Sequence, residues 1–504
     1  MKIKYSIQFI ALLFLSFLFS CSSDFLNVKV QSKETPSSDP NLANLLVIGA
    51  YSTLLQGDPF GNGDVHGFAF IAATNIMSDD ADKGSFALDQ ANTIGVMDDF
   101  TVTPTDQFCN TLWTGHYNGI GACNQALKVF KTSTLDAATL GELKGEIRFL
   151  RAYYYFTLVR MFGGVPLVYQ VPIDVHDALT NPVYQTRATA AVVYDSIIQD
   201  LQYAIDHLPF KLQASVGHAT KGAAQTMLAK VYMYTGNWAQ VKVMTDAVIT
   251  SGQYSLVPGY ALQFRQAGEN GPESIFEIET GTFNNANYGI ANYTISQGPR
   301  VGGLGGWNDL GYGFNNPTTT LINSYEPGDL RKAGTIIFID NSGTHKGTIL
   351  WDGFRLPSSD SVQNLTYNYK TYTSPTKETY PPSGVSDKDR PQNVILLRYA
   401  DVLLMSAEAA VNLGGDAATP LNMVRARAGL APKPGTLANV KQERHVELAM
   451  EDDRFWDLVR WGDAASVMIA SGKTNFVAGK NELLPIPATQ ILLSNGKLTQ
   501  NPGY

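Results

Sequence analysis

The sequence predicts a mainly α fold, in which a scaffold of paired helices carries two large loop-rich insertions containing short strands. Three observations predict it. Apolar residues recur every three or four positions through long stretches toward both ends of the chain. Two helix-turn-helix units have small residues where their partner helices meet. Between Ser255 and Gln392 the composition turns to Gly, Asn, Pro, Ser and Tyr, over a length at which a structureless loop is implausible.

The chain begins with an apolar run from Ile7 through Phe19 behind Lys2 and Lys4, which has the charged start and short apolar core of an export signal. It is too short and wrongly flanked for a membrane span. The boundary Leu18-Phe19-Ser20-Cys21 resembles the bacterial lipobox, with Phe19 bulkier than usual. On that resemblance residues 1–20 are a lipoprotein signal peptide, Cys21 carries lipid on its thiol and amine, and residues 21–40 are a lipidated tether. A plain signal peptide with an incidental Cys is the alternative.

Residues 41–504 read as a single domain. Its helical scaffold spans approximately 41–57, 107–254 and 393–465, and its insertions approximately 58–106 and 255–392. Leu42 to Leu55 is the first helix. Gln107 to Lys131 follows, with Trp113, Tyr117, Ile120, Asn124 and Leu127 at steps of three and four. Leu143, Ile147, Leu150, Tyr154, Leu158 and Met161 repeat the pattern up to Gly163-Gly164, with Pro166 beyond. Thr189 to Leu208 is next, ending at Pro209. Two helical pairs then stand out, Ala219 to Thr235 with Trp238 to Thr250, and Val394 to Leu413 with Ala417 to Ala428. Ala223, Ala224 and Ala229 in one, and Ala407, Ala409 and Ala410 in the other, permit close packing. The pairing is of the tetratricopeptide type without a strict period of about 34 residues. Ser274 to Ile278 and Thr335 to Ile339 are β-prone runs inside the second insertion.

Composition narrows the function classes. The net charge of −8 with no basic block argues against a nucleic-acid partner. Cys109 and Cys123 fall on one helix, where fourteen residues at about 1.5 Å each hold them some 20 Å apart, beyond disulfide reach of roughly 7 Å. The seven His residues lack metal-ligand spacing, and there is no phosphate-binding glycine loop or Gly-x-Ser-x-Gly turn.

A series of motifs runs the length of the chain. It includes Gly145-Glu146-Ile147-Arg148-Phe149-Leu150-Arg151-Ala152-Tyr153-Tyr154 followed by Met161-Phe162-Gly163-Gly164-Val165-Pro166, and Leu397-Arg398-Tyr399-Ala400-Asp401-Val402-Leu403-Leu404. Leu421 to Gly429, Arg454-Phe455-Trp456-Asp457-Leu458-Val459-Arg460-Trp461, Leu484-Pro485-Ile486-Pro487 and the terminal Asn501-Pro502-Gly503-Tyr504 complete it. The series resembles the SusD/RagB family of outer-membrane lipoproteins. That resemblance implies a cell-surface glycan-binding lipoprotein, anchored in the outer membrane through Cys21, that delivers oligosaccharides to a SusC-like TonB-dependent transporter without catalysis. Some members are associated with peptide uptake, so a peptide-handling or structural lid subunit is the alternative, and a glycan-degrading enzyme ranks behind both.

The motif residues themselves read as structural. Glu443, Glu447 and Glu451 alternate with Arg444, Arg454 and Arg460 at a spacing that forms ion pairs on adjacent helical turns, which would hold the acids ionised and unfit as general acids. Glu146, Arg148, Arg151, Asp401 and Glu408 are placed in the same class, and Trp113, Trp456 and Trp461 in the core.

Ligand contact is expected instead from loop aromatics, whose flat faces stack on sugar rings. Trp307 and Tyr312, in a glycine-rich stretch, are the leading pair, and Tyr312 has loop-fixing as its alternative role. Trp351, with Asp352 and Arg355 beside it, is the third; Tyr288, Tyr293, Tyr367, Tyr369 and Tyr372 rank lower. Ser78-Asp79-Asp80-Ala81-Asp82 supplies a second cluster. Sugar contact by Asp79 or Asp80, the version the family resemblance favours, competes with a structural Ca²⁺ on Asp79, Asp80 and Asp82, whose spacing lacks the full EF-hand loop, and with a plain turn or helix cap. No other cofactor is expected.

Overall fold

The computed structural model describes residues 37–58, 60–61, 63–280, 290, 293–300, 310–342, 347–379 and 390–504. Cys21, the signal sequence and most of the tether lie outside the described residues, as do Tyr288 and Trp307.

Helix α1 (Pro40–Ser52) starts at Asp39, whose carboxylate accepts from the Asn41 amide at 2.7 Å, and Pro40 stands in its first turn, where a missing N–H costs no helical bond. Then come α2 (Gln107–Phe130), α3 (Ala137–Phe162), α4 (Ala190–His207), α5 (Lys221–Tyr234), α6 (Trp238–Thr250), α7 (Tyr399–Leu413) and α8 (Ala418–Arg427), each packed on the next. Helix α9 (Leu437–Glu447) returns against α7 and α8, and α10 (Arg454–Trp461) follows it. This run of helical pairs is the tetratricopeptide-like scaffold that the small-residue pattern predicts.

The centre of the scaffold is α3, buried from Phe149 onward, where Arg151 and Arg160 are paired with Asp200 and Asp453. Its approach to α2 is set by Gly119, because a Cβ there would stand 2.4 Å from the Tyr154 ring. The helix stops at Gly163, whose φ of 72° is reached at little cost only without a side chain. Trp113 and Trp456 are core residues, and the indole nitrogen of half-buried Trp461 donates to Glu408 at 2.8 Å. Cys109 and Cys123 are both buried free thiols on α2.

One boundary is corrected. The run from Val394 to Leu413 is not a single helix: Val394–Arg398 forms strand β6, antiparallel to β2 (Ser274–Ile278), and the helix starts only at Tyr399. A short apolar run is compatible with either state, and the strand partner, more than a hundred residues earlier, decides it.

The insertions are tied down by further ladders. Strand β1 (Ala81–Gly84) pairs with β3 (Phe314–Pro317), joining the first insertion to the second, and β4 (Ile336–Phe338) pairs with β5 (Thr366–Asn368). Around β4 and β5, Leu310, Ile337, Leu350, Leu356, Val362 and Tyr367 form a small core separate from that of the helices. That core gives the described residues of the second insertion a packing centre of their own.

Buried ion pairs hold the family motifs together, mostly by contacts between segments far apart in the chain, with Arg460–Asp457 a pair within one helix. Glu447 meets Arg398 at 2.5 Å and Arg331 at 2.9 Å and also pairs with Arg427; Glu443 meets Arg331 at 2.6 Å and Arg425 at 2.9 Å. Arg444 goes to Asp401, and Arg460 to Glu408 and Asp457. Helix α9 ends at Glu447, so Arg454 and Arg460 belong to a different helix. Burial works against ionisation of Glu447, yet Arg427, Arg398 and Arg331 outweigh it and hold its carboxyl well below the usual range. For Glu443 burial leads and pushes its carboxyl up despite Arg331 and Arg425. Glu146 accepts from Tyr51 and His218, and Arg151 clasps Asp200 through two bonds of 2.8 Å.

Candidate ligand-binding cleft

The second insertion carries an open cleft of about 680 Å³, walled by Tyr260, Leu262, Leu330, Trp351 and Tyr369, with Gln266, Lys377 and Glu378 among its polar groups. A tight hairpin presents the tryptophan. Ile349 bridges Arg355, the Leu350 amide donates to the Phe354 carbonyl at 2.9 Å, and Gly353 turns the chain at φ 84°. Leu350 and Leu356 are sunk in the small core, which leaves Trp351 at the tip with 48% of its surface exposed. The Trp351 amide donates to the Tyr369 hydroxyl at 2.7 Å.

Asp352 pins the hairpin from behind, accepting from the Tyr372 hydroxyl at 2.8 Å, from the Phe354 amide at 3.0 Å and from Ser374. Burial raises its carboxyl, but these hydrogen bonds outweigh burial and leave it below the usual carboxylate range. Burial and the neighbouring Asp352 together push the Tyr372 phenol far up.

Arg265 forms the back of the cleft. Its Nη1 donates to the carbonyls of Phe264, Tyr369 and Tyr372 at 3.0, 3.0 and 3.2 Å, and its guanidinium lies 4.8 Å from the Tyr369 ring centre and 5.8 Å from that of Trp351. Aromatic faces thus border a planar cation, an arrangement suited to a flat ligand with polar edges.

The other expected residues are placed variously. Arg355 is exposed beside the cleft without lining it, and its Nη1 donates to the Gly347 carbonyl at 3.2 Å. Tyr312 is half-buried, its amide donating to the Ile295 carbonyl at 2.8 Å and its ring 6.3 Å from that of Phe68. Nearby, Arg300 pairs with Asp89 and lies 4.6 Å from the ring centre of Phe86. Trp307 belongs to the segment between Arg300 and Leu310, outside the described residues. Tyr293 and Tyr367 are buried.

The expectation for the acidic cluster is corrected. Asp79 and Asp80 are 1% and 0% exposed, so neither can touch a ligand at the surface. Arg454 binds Asp79 at 2.7 and 2.9 Å, and His445 Nε2 lies 2.6 Å from Asp80. Asp82 turns away, with most of its side chain exposed and 3.9 Å from the Lys473 ammonium, so the three acids do not converge as Ca²⁺ ligands. Donor atoms of Asp79, Asp80 and His445 do lie within 4.8 Å of one another, but with a ring nitrogen among them and Arg454 alongside. A hard cation prefers oxygen ligands and no neighbouring positive charge.

Sequence reasoning missed Arg265, Leu262, Leu330 and Lys377. Arg265 sits in an ordinary run, Gln263-Phe264-Arg265-Gln266, and only the fold places it behind Trp351.

The fold and cleft together define a helical-pair scaffold protein that displays a loop-built, aromatic-walled cleft on an inserted subdomain. The chain belongs to the SusD/RagB family: the SusD family profile matches residues 272–504, and a profile described as "Starch-binding associating with outer membrane" matches residues 24–233. It is 26% identical over 437 residues to SusD-like protein P2 of Formosa agariphila, covering 81% of this chain and 83% of that one. It is likewise 26% identical over 428 residues to the starch-binding protein SusD of Bacteroides thetaiotaomicron, covering 73% and 74%. Among solved structures, a laminarin-binding SusD-like protein superposes with a TM-score of 0.74 at 28% identity, over 92% of this chain and 99% of that one. Surface glycan-binding protein A from Bacteroides fluxus gives 0.77 at 25% identity, over 93% and 100%.

Proposed function

We propose that the protein is a cell-surface glycan-binding lipoprotein, anchored in the outer membrane through Cys21, that captures oligosaccharides and passes them to a SusC-like TonB-dependent transporter. The observation that carries the binding half is Trp351, half-exposed on the wall of a ligand-sized cleft with Tyr369, Arg265, Gln266 and Glu378 around it. An aromatic face takes the apolar side of a sugar ring while the polar groups reach its hydroxyls. The glycan ligands named for its relatives support the same reading. Family membership, the lipobox-like Cys21 and the matched profile's association with the outer membrane support the anchoring and the partner.

The role is binding without chemistry. Glu447 is held ionised by its ion pairs with Arg331, Arg398 and Arg427, and Glu378, the acid that lines the cleft, is engaged by neighbouring donors. A shallow site of this kind gives micromolar to millimolar dissociation constants, about −4 to −8 kcal/mol, which suits hand-over, and tethering beside the pore adds avidity.

Calorimetric titration against plant, fungal, bacterial and host polysaccharides, with the products analysed afterwards, tests this. Saturable binding to one class with the polymer intact is expected. Hydrolysis would make the protein an enzyme, and silence across the panel would turn the reading to a peptide cargo or a structural lid.

A further inference from the structure

We propose that the glycan held in this cleft bears an oxyanion, a carboxylate or sulfate ester on a sugar ring, received by Arg265 with Lys377 beside it. The proposal rests on the reading of the cleft as a glycan site.

Arg265 differs from the buried arginines of the ion-pair network. Arg331 sits against Asp329, Glu443 and Glu447; Arg398 against Glu273, Glu447 and Glu451; Arg425 against Glu326 and Glu443. Arg265 is 6% exposed, and among the described residues no carboxylate oxygen lies within 4.0 Å of it. Its protein partners are three carbonyl oxygens, all bound by Nη1. Among the described residues nothing accepts from Nε or Nη2, and Arg265 lines the cleft.

The acids nearest to it are already engaged. Glu378 accepts from the Gln266 amide at 2.9 Å with one oxygen and from the Ser374 amide at 2.7 Å with the other. Asp352 is occupied by Tyr372, Ser374 and the Phe354 amide. Burial draws the Arg265 pKa below the ordinary arginine value, and Glu378 and Asp352 act on it only through space. Arg427, the third cation of the lining, is neutralised by Glu273 and Glu447. Lys377 lines the same cleft and has no ion-pair partner among the described residues.

A planar fork with two donors that are unused among the described residues, held rigid and partly desolvated, matches the paired oxygens of a carboxylate or sulfate. A neutral sugar would meet the donors with hydroxyls but leave the buried charge uncompensated, whereas an anionic ring supplies both. Trp351 and Tyr369 flank the fork, so the ring that carries the anion stacks while its acid group is clasped.

The test is titration of the full lipidated chain in detergent micelles with neutral glucans, polyuronates and sulfated polysaccharides of matched length, at low and high salt. Binding at least tenfold tighter to a polyuronate or a sulfated polymer, weakened by salt, is expected, and which of the two prevails names the anion. Lys377→Met, on an exposed rim, is expected to cut that preference several-fold with the melting temperature unchanged, and Arg265→Lys to cut it while keeping the charge. Equal affinity for neutral and anionic polymers, with both lost in Trp351→Ala, would overturn the anion proposal and leave the glycan site standing. Binding untouched by Trp351→Ala, or none to any polymer, would instead remove the cleft as a glycan site and the proposal with it.

Discussion

Arg454 clasps Asp79 through hydrogen bonds of 2.7 and 2.9 Å, tying the first insertion to a helix 375 residues later in the chain. Both groups are largely withdrawn from water. Burial raises the Asp79 carboxyl, and the Arg454 bonds more than reverse that, holding it below its ordinary range. Removing one partner of a buried pair leaves the other charge stranded. Asp79→Ala is therefore expected to lower unfolding free energy by about 3–5 kcal/mol while the folded fraction keeps its glycan affinity. Urea titration and calorimetry on the same preparation check this; weakened binding at unchanged stability would return Asp79 to the ligand site.

Glu447 joins Arg331, Arg398 and Arg427 from three different segments. Glu447→Gln keeps the shape and removes the charge that all three share, so a loss of about 3–5 kcal/mol is again expected. A urea midpoint within error of the parent would show that Glu273, Glu443 and Glu451 suffice for the three arginines.

Trp351 stands at a hairpin tip with its neighbours Leu350 and Leu356 doing the packing. Trp351→Ala is expected to weaken glycan binding at least tenfold, about 1.4 kcal/mol, with stability changed by no more than about 0.5 kcal/mol. A large fall in melting temperature with binding intact would make the ring a structural prop. Trp307→Ala carries the same pair of readouts and tests the glycine-rich segment independently.

Asp452 gives stability a pH signature. Burial pushes its carboxyl up to about 7, although Thr74 and Tyr293 donate to it. A folded-state pKa above the unfolded value of 3.8 means that the folded chain binds the extra proton. Its contribution is complete below about 4 and is lost as pH rises through about 7. Glu326 runs the other way: hydrogen bonds from Arg425 lead, with Lys433, in holding it at about 2, so its contribution is present above about 4.5 and fades as pH falls toward 2. Asp452→Asn is expected to flatten the melting temperature between pH 4 and 7. An unchanged slope would assign that dependence to other groups.

Much of the scaffold was legible because helices report themselves locally. The periodic apolar residues from Leu143 to Met161 mark α3, Gly163 marks its end, and Trp238 to Thr250 coincides with α6. The strand at Val394–Arg398 was not legible, since its partner β2 lies far away in sequence. The acids and arginines of α9 and α10 were readable as ion-pairing residues but not as to which pairs with which. Trp351 was legible as an exposed-loop aromatic, whereas Asp79 and Asp80 looked identical in sequence to a solvated turn.

What the sequence by itself determined is therefore whatever depends on neighbours a few residues apart: the helical pairs, their caps and breaks, the lipobox-like Cys21 and the series of family motifs. Only the tertiary structure decided which polar groups are buried and which remain open. Arg454 and Asp79 are brought together across 375 residues, and Arg265 is set behind Trp351 on the lining of the cleft. Burial and pairing are properties of the packed chain, because desolvation and hydrogen bonding depend on what surrounds a group in space and not on what precedes it in sequence.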